Sequence, residues 1–486
     1  MMPTDSIQAG HPVIIQGGMG VGVSNWQLAR AVASRGHLGV VSGTALAAVL
    51  VRRLQDGDPN GDAQRALSHC PLREAAVSIQ AKYFLPGGRP AAQPYRLTSL
   101  YSASSPDDLT LLTIIGNFVE VWLAKEGHSG VVGINLLEKI QLPTLASLYG
   151  AMLADVDYVL MGAGIPRSIP GAIDLLAAGQ RAEMKIAVDG DSTGGAHHIS
   201  LDPAHFTGTP APILRRPKFL AIVSSSALAT TLARKSNGKV DGLIVEGVTA
   251  GGHNAPPRGT PQFNERGEPV YGPRDNADLN AIKALGLPFW LAGSYAHPDQ
   301  LKAALALGAT GVQIGTAFAF CEESGLTPEI KLAVLRRSAA GTLSLLTDPR
   351  ASPTGMPFKV VDLYGTVSDA EVYEQRARTC DMGYLRQAYQ KDVGSVGFRC
   401  PAEPEAAFIR KGGDPAEALG RKCLCNGLMA AIGLGQTAAN GEPEPPIVTA
   451  GDDVKDIARF LAPDKFSYHA VDVLNFMLGK SEAPVS

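Results

Sequence analysis

Cysteine is scarce in this chain, at six residues in 486. So sparse a set is no framework for a secreted, disulfide-stapled fold, and reduced thiols are expected. No apolar run approaches the roughly 18 residues that a membrane span needs. The first residues, Met1-Met2-Pro3-Thr4-Asp5, carry neither the basic nor the apolar region of a signal peptide. The expectation is a cytoplasmic protein with no membrane partner. Charge is also balanced: 43 Lys and Arg against 46 Asp and Glu leave no basic surface that argues for nucleic acid. Internal repeats and low-complexity tracts are missing. What is present is 45% apolar residues over a length sufficient for a large core, the profile of a globular protein that works on small molecules.

Short apolar runs alternate with helical segments through the first 340 residues, which argues for a parallel sheet. The runs are Val13–Gln16, Leu38–Val41, Val131–Ile134, Tyr158–Met161, Phe219–Val223, Leu243–Val245, Phe289–Ala292 and Gly311–Ile314. Eight such strands close a ring of the (β/α)8, or TIM, class, and a ninth run, Lys185–Val188, is assigned to a hairpin-like excursion before Phe219. Helical spacing is clearest over Trp26–Ala33, Pro298–Leu307 and Glu329–Leu335, with Asn25 and Thr327 as caps. The expected division is an α/β barrel over 10–345 and a helical C-terminal extension over 346–486. A helical insertion at 46–128, after the second strand, carries helices at Leu46–Leu54 and Leu109–Lys125 and is expected to cap the barrel mouth; the second of these reads as strongly amphipathic.

In such a barrel the loops after the strands carry the chemistry. After the sixth strand comes Glu246-Gly247-Val248-Thr249-Ala250-Gly251-Gly252-His253, which delivers a histidine to a strand's C-terminal end. Gly251 and Gly252 lack a Cβ and would let the backbone lie against a flat ligand. A satisfied histidine in a glycine-rich turn is the alternative. The loops after the seventh and eighth strands offer Gly293, Ser294, Gly315 and Thr316, whose backbone N–H groups and hydroxyls suit a phosphate; ordinary barrel-closing turns are the competing reading. With Gly18, Met19 and Gly20 after the first strand and Asn135 at the third, the pattern surrounds one elongated ligand with a phosphate at one edge and a ring at its centre. Flavin mononucleotide (FMN) has that shape. Asn135 could meet the polar edge of its ring or bond only backbone.

The ordered set Gln16-Gly17-Gly18-Met19-Gly20, Gly133-Ile134-Asn135, Gly162-Ala163-Gly164-Ile165-Pro166, Glu246 to His253 and Gly311 to Thr316 resembles the nitronate monooxygenase family, formerly called 2-nitropropane dioxygenases. Relatives of that family include flavin-type bacterial enoyl reductases and trans-acting enoyl reductases of polyketide assembly. The likeness covers roughly residues 10 to 340 less the insertion. It implies an FMN-containing TIM barrel with His253 over the reactive face of the flavin, Gly18, Met19 and Gly20 lining it, Gly251 touching it with Gly252 nearer the substrate, and Gly293, Ser294, Gly315 and Thr316 at the phosphate. Three positions depart from the family pattern: Thr249 replaces an acidic residue, Asn254 follows His253, and Ala292-Gly293-Ser294 stands for Ala-Gly-Gly. The likeness implies FMN-dependent oxidation of nitronates or nitroalkanes with O2 as co-substrate and His253 as the catalytic group, since a neutral imidazole is suited to taking a carbon-bound proton near neutral pH. Two alternatives stay open: an NAD(P)H-dependent FMN reductase of an enoyl thioester or a quinone, and a flavoprotein fold kept as a binding module. A homodimer is one assembly open to either.

The long loop after His253 holds Arg258, Arg274 and Asp275, read as solvated charges in preference to an anion site. His197 and His198, after Gly194-Gly195 and near Asp189 and Asp191, are adjacent and point apart, so no metal is expected there. Cys380, Cys400, Cys423 and Cys425 lie within 46 residues. They read as buried thiols in preference to zinc or iron–sulfur ligands, because Cys423-Leu424-Cys425 and the long remaining intervals do not match the usual ligand spacing.

Overall fold

The computed structural model describes residues 10–191, 197–392, 395–438 and 440–480. The N-terminal segment Met1–Asp5 and the pair Gly194-Gly195 lie outside the described residues. Eight parallel strands form one sheet: β1 (Ile14–Gln16), β2 (Gly39–Ser42), β3 (Val132–Leu137), β4 (Tyr158–Gly162), β5 (Lys218–Val223), β6 (Gly242–Glu246), β7 (Phe289–Ala292) and β8 (Gly311–Ile314). They run β1-β8-β7-β6-β5-β4-β3-β2, and a parallel bridge between Ile15 and Leu38 joins the two ends. The sheet is therefore a closed TIM barrel. Every strand expected from the apolar runs is present, within a few residues at its ends.

Alternation within the strands fills the barrel. Ile15, Val40, Tyr158, Leu160, Leu220, Ile244 and Trp290 form one buried interior cluster, while intervening residues such as Ile14, Val41, Val159 and Phe219 pack outward under the helices. Trp290 is fully buried, and its indole N–H donates to the Pro12 carbonyl at 2.7 Å, which satisfies the one polar atom of that ring. The Trp26–Ala33 helix has its expected cap, the Asn25 side chain accepting from Leu28 N–H. Thr327 caps the Pro328–Ala339 helix in the same way. The excursion is present, but its paired strand falls ahead of the expected run: Ala182–Lys185 pairs antiparallel with His198–Leu201.

Two expectations need correction. The second insertion helix, Asp107–Lys125, is buried on almost every side, and it packs against the helices Trp26–Ala33, Leu46–Gln55 and Thr144–Leu153. It is not strongly amphipathic, because it serves as a layer helix of the barrel enclosed by its neighbours. The mouth of the barrel is lined instead by the C-terminal extension. That extension holds helices, among them Leu424–Ala431 and Ala470–Leu478, and also two antiparallel pairs. Leu345–Asp348 pairs with Phe358–Val361, and Gln387–Asp392 pairs with Ser395–Arg399. The latter pair adds Val188–Asp189 from the excursion as a parallel neighbour. Strand pairing across distant segments is set by tertiary contact, and helical spacing does not reveal it. No helix among the described residues is long and apolar enough to cross a membrane.

Candidate active site

A cavity of about 240 Å³, open to solvent on one side, occupies the C-terminal end of the barrel. Gly18, Met19, Gly20, Asn135, Gly251, Gly252, His253, Gly293, Ser294, Gly315 and Thr316 all line it. Five separate strand ends thus bring these eleven residues to one place.

The first rim loop is built by Gln16, which is fully buried. Its amide donates to the Gly17 carbonyl and to Ser24 Oγ, and its carbonyl accepts from Val40 N–H at 3.0 Å. Ser24 Oγ accepts from Met19 N–H at 3.0 Å and donates to the Gly17 carbonyl. The loop is therefore ordered before any ligand arrives. Gly18 lies against Asn135 so closely that a Cβ there would fall 2.2 Å from the Asn135 Cβ; only glycine fits.

At the seventh strand, Gly293 and Ser294 both have positive φ, 101° and 56°. Ser294 thus adopts a left-handed backbone at the position where the resemblance places glycine, at a cost of about 1–2 kcal/mol. Its hydroxyl is buried and has no protein partner. A buried orphan hydroxyl on a residue that lines the cavity is a group that an anionic oxygen would satisfy. Thr316 opens a short helix after β8, and its hydroxyl accepts from Gly451 N–H at 2.8 Å while keeping its own proton to donate.

Gly251 lies against the extension as well as on the cavity lining. A Cβ on it would meet Gly451 N at 2.6 Å and the Ala450 carbonyl carbon at 2.7 Å, so its bareness makes room for the extension as well as for a ligand. The whole Gly-Gly-His segment is clamped by that extension. Gly252 N–H donates to Thr449 Oγ1, Lys359 N–H donates to the Gly252 carbonyl, and Asn254 N–H donates to the Pro357 carbonyl. Lys359 is itself buried and paired with Asp452 at 2.7 Å.

His253 packs edge-on against Phe358, ring centroids 4.9 Å apart, and its Nε2 lies 2.6 Å from Ser352 Oγ. Ser352 continues to Thr354 Oγ1 at 2.8 Å. Burial lowers the imidazole pKa from 6.5 to about 4, so the ring is neutral at pH 7. Glu246, at the end of β6 and on the cavity wall, shows the opposite displacement: burial pushes its carboxyl from 4.5 to about 7. No role was assigned to Glu246 in the sequence, although its place at a strand's C-terminal end was the available signal. Ser352, Thr449 and the cavity-lining Tyr384 and Asp453 were missed as well, because nothing local ties them to the barrel.

The charged loop after His253 falls away from the cavity. Arg258 donates to the Arg274 carbonyl, and its N–H donates to Asp275; these charges tie an exposed loop to itself, as expected. No group of three or more His, Cys, Asp or Glu side chains among the described residues is fit to hold a single metal ion.

The fold and site define a TIM barrel with a hydroxyl- and glycine-rich rim facing a half-buried imidazole. The comparisons narrow this. Residues 173–351 match the family described as nitronate monooxygenase, in line with the resemblance carried by the motifs. A nitronate monooxygenase of Pseudomonas aeruginosa is 35% identical over 117 residues, 24% of this chain and 32% of that protein. A probable nitronate monooxygenase of Bacillus subtilis is 36% identical over 121 residues, 25% of this chain and 33% of that protein. The matched part thus spans about a third of the length of these relatives. A solved nitroalkane oxidase of Streptomyces ansochromogenes aligns over 96% of this chain and 95% of its own, with 15% identity and a TM-score of 0.47.

Proposed function

We propose that this protein is an FMN-dependent oxidoreductase of the nitronate monooxygenase kind, which oxidises nitronates or nitroalkanes with O2. The observation that carries this reading is the convergence of Gly18, Asn135, His253, Ser294 and Thr316 on one cavity, with the Ser294 hydroxyl buried there and unpartnered. These residues fit FMN. Gly293, Ser294, Gly315 and Thr316 would hold its phosphate, Gly18 to Gly20 and Asn135 would border its ring, and the bound flavin would supply the electron-transfer chemistry.

The chain's own part is to bind, orient and handle a proton. His253 is neutral at working pH. In that state Nε2–H donates to Ser352 Oγ, the serine hydroxyl turns to Thr354, and Nδ1 keeps the lone pair that takes the proton. The imidazolium is thereby accommodated without moving the ring. Phe358 and the extension behind it exclude water from that side.

A second reading has one observation in its favour. An imidazole with a pKa of about 4 is a weak base towards carbon, while a carboxyl near 7 is well poised as an acid. That combination suits an NAD(P)H-dependent FMN reductase of an enoyl thioester or quinone, with Glu246 as the proton source.

The test starts with the spectrum. Purified protein is expected to be yellow and to release FMN on denaturation; colourless protein that cannot be reconstituted overturns both readings. Anaerobic stopped-flow mixing then separates them. Bleaching of the flavin by a nitronate, with a roughly 100-fold loss of turnover on the parent nitroalkane in His253→Ala, is expected. Rapid bleaching by NADPH with no response to nitronate replaces the first reading by the second.

A further inference from the structure

Four of the six cysteines meet around a second, smaller cavity. Cys380 lies in the loop after the Ala370–Gln375 helix, Cys400 directly follows the Ser395–Arg399 strand, and Cys423 and Cys425 open the Leu424–Ala431 helix. The long interval between Cys380 and Cys400 is closed by the antiparallel pair Gln387–Asp392/Ser395–Arg399, which returns the chain to the same point. All four line this one cavity, and none is in a disulfide.

We propose that Cys380, Cys400, Cys423 and Cys425 are the ligands of an iron–sulfur cluster. Four thiolates from one chain are the ordinary ligand set for a [2Fe–2S] or [4Fe–4S] cluster. A single zinc ion, with Zn–S bonds of about 2.3 Å, needs its sulfurs about 3.8 Å apart. No group fit for a single ion exists among the described residues. A cluster places its own sulfide and iron between the thiolates and so accepts a wider quartet.

The surroundings suit such a group. Each thiol lies within electrostatic reach of the others: Cys425 senses Cys423, Cys400 and Cys380, and Cys400 senses Cys423 and Cys380. Each thiol would lose its proton on binding iron. Arg386 lines the cavity and interacts with Cys380, Cys400 and Cys425, a cation placed to offset the negative charge of a thiolate-bound cluster. Cys423 is the N-cap of the Leu424–Ala431 helix and Cys425 lies in its first turn, where the backbone dipole favours thiolate. Met382, Leu385, Leu424 and Cys425 line both this cavity and the larger one. The proposed cluster would therefore share a wall with the candidate active site.

The proposal does not rest on the flavin reading and is tested apart from it. Protein purified without oxygen, and reconstituted with ferrous iron and sulfide, is assayed for iron, zinc and acid-labile sulfide. About two to four iron atoms per chain with matching sulfide are expected, with a paramagnetic resonance signal appearing on dithionite reduction. Cys400→Ser and Cys423→Ser are each expected to lose at least nine-tenths of the iron, and Cys70→Ser, a buried thiol elsewhere, to keep it. Iron below a quarter equivalent after reconstitution, one zinc per chain without sulfide, or full iron retention in both ligand variants overturns the proposal. The wild-type iron and sulfide content decides the matter even if the variants fail to fold.

Discussion

Replacing Glu246 by glutamine isolates the electrostatic cost of the cavity wall. Burial moves this carboxyl from 4.5 to about 7, so between those values the folded chain holds a proton that the unfolded chain has released. The folded state then binds more protons than the unfolded one, and stability falls as pH rises from 4.5 through 7, levelling off above. At 1.36 kcal/mol per pH unit the full displacement is worth about 3 kcal/mol. Water entering through the open side of the cavity screens part of it, which leaves about 2 kcal/mol. Glutamine keeps the shape and never ionises. His253 works in the opposite sense: its pKa is lowered to about 4, so its contribution is present above pH 6.5 and is lost as pH falls from there to 4. It is common to both proteins and cancels in their difference. Urea unfolding of wild type and Glu246→Gln at pH 5 and pH 8 is the assay. The variant is expected to be nearly level with wild type at pH 5 and about 2 kcal/mol more stable at pH 8. Equal stability at pH 8, or a wild type that gains on the variant as pH rises, would refute the assigned burial of the carboxyl.

Two further substitutions probe how the extension is held. Gly251→Ala drives a Cβ into the backbone at Ala450 and Gly451; a loss of about 1–3 kcal/mol is expected, with faster proteolytic cleavage near residue 450, and an unchanged cleavage rate would count against the close approach. Arg376→Ala leaves Glu444, its buried partner at 2.7 Å, without a counter-charge. About 3–5 kcal/mol should be lost, while the apolar double variant Arg376→Met/Glu444→Leu should recover most of it; an Arg376→Ala protein within 1 kcal/mol of wild type in urea would show that the pair is better solvated than its burial indicates.

Much of the barrel was legible because its information is local. A strand such as Phe289–Ala292, buried on both faces, is a continuous apolar run, and the glycines and hydroxyls that follow each strand mark the functional rim whatever the helices between them do. Met19, Asn135, Ser294 and His253 could be assigned to one site on that rule. The Asp107–Lys125 helix was misjudged because its surroundings come from three other helices. Glu246 was passed over because a glutamate's pKa depends on what encloses it, and enclosure is not written in neighbouring residues.

Chain order and apolar spacing alone therefore sufficed for a closed ring of parallel strands and for the end of it that carries the chemistry. Three things had to wait for the folded chain. The C-terminal extension, and not the insertion, lines the mouth; Ser352 and Thr449 grip the Gly-Gly-His segment from about 100 and 200 residues away; and four widely spaced thiols share one cavity. Each is a contact between segments far apart in sequence, and such contacts are chosen by the packing of the whole core, which no short stretch of residues encodes.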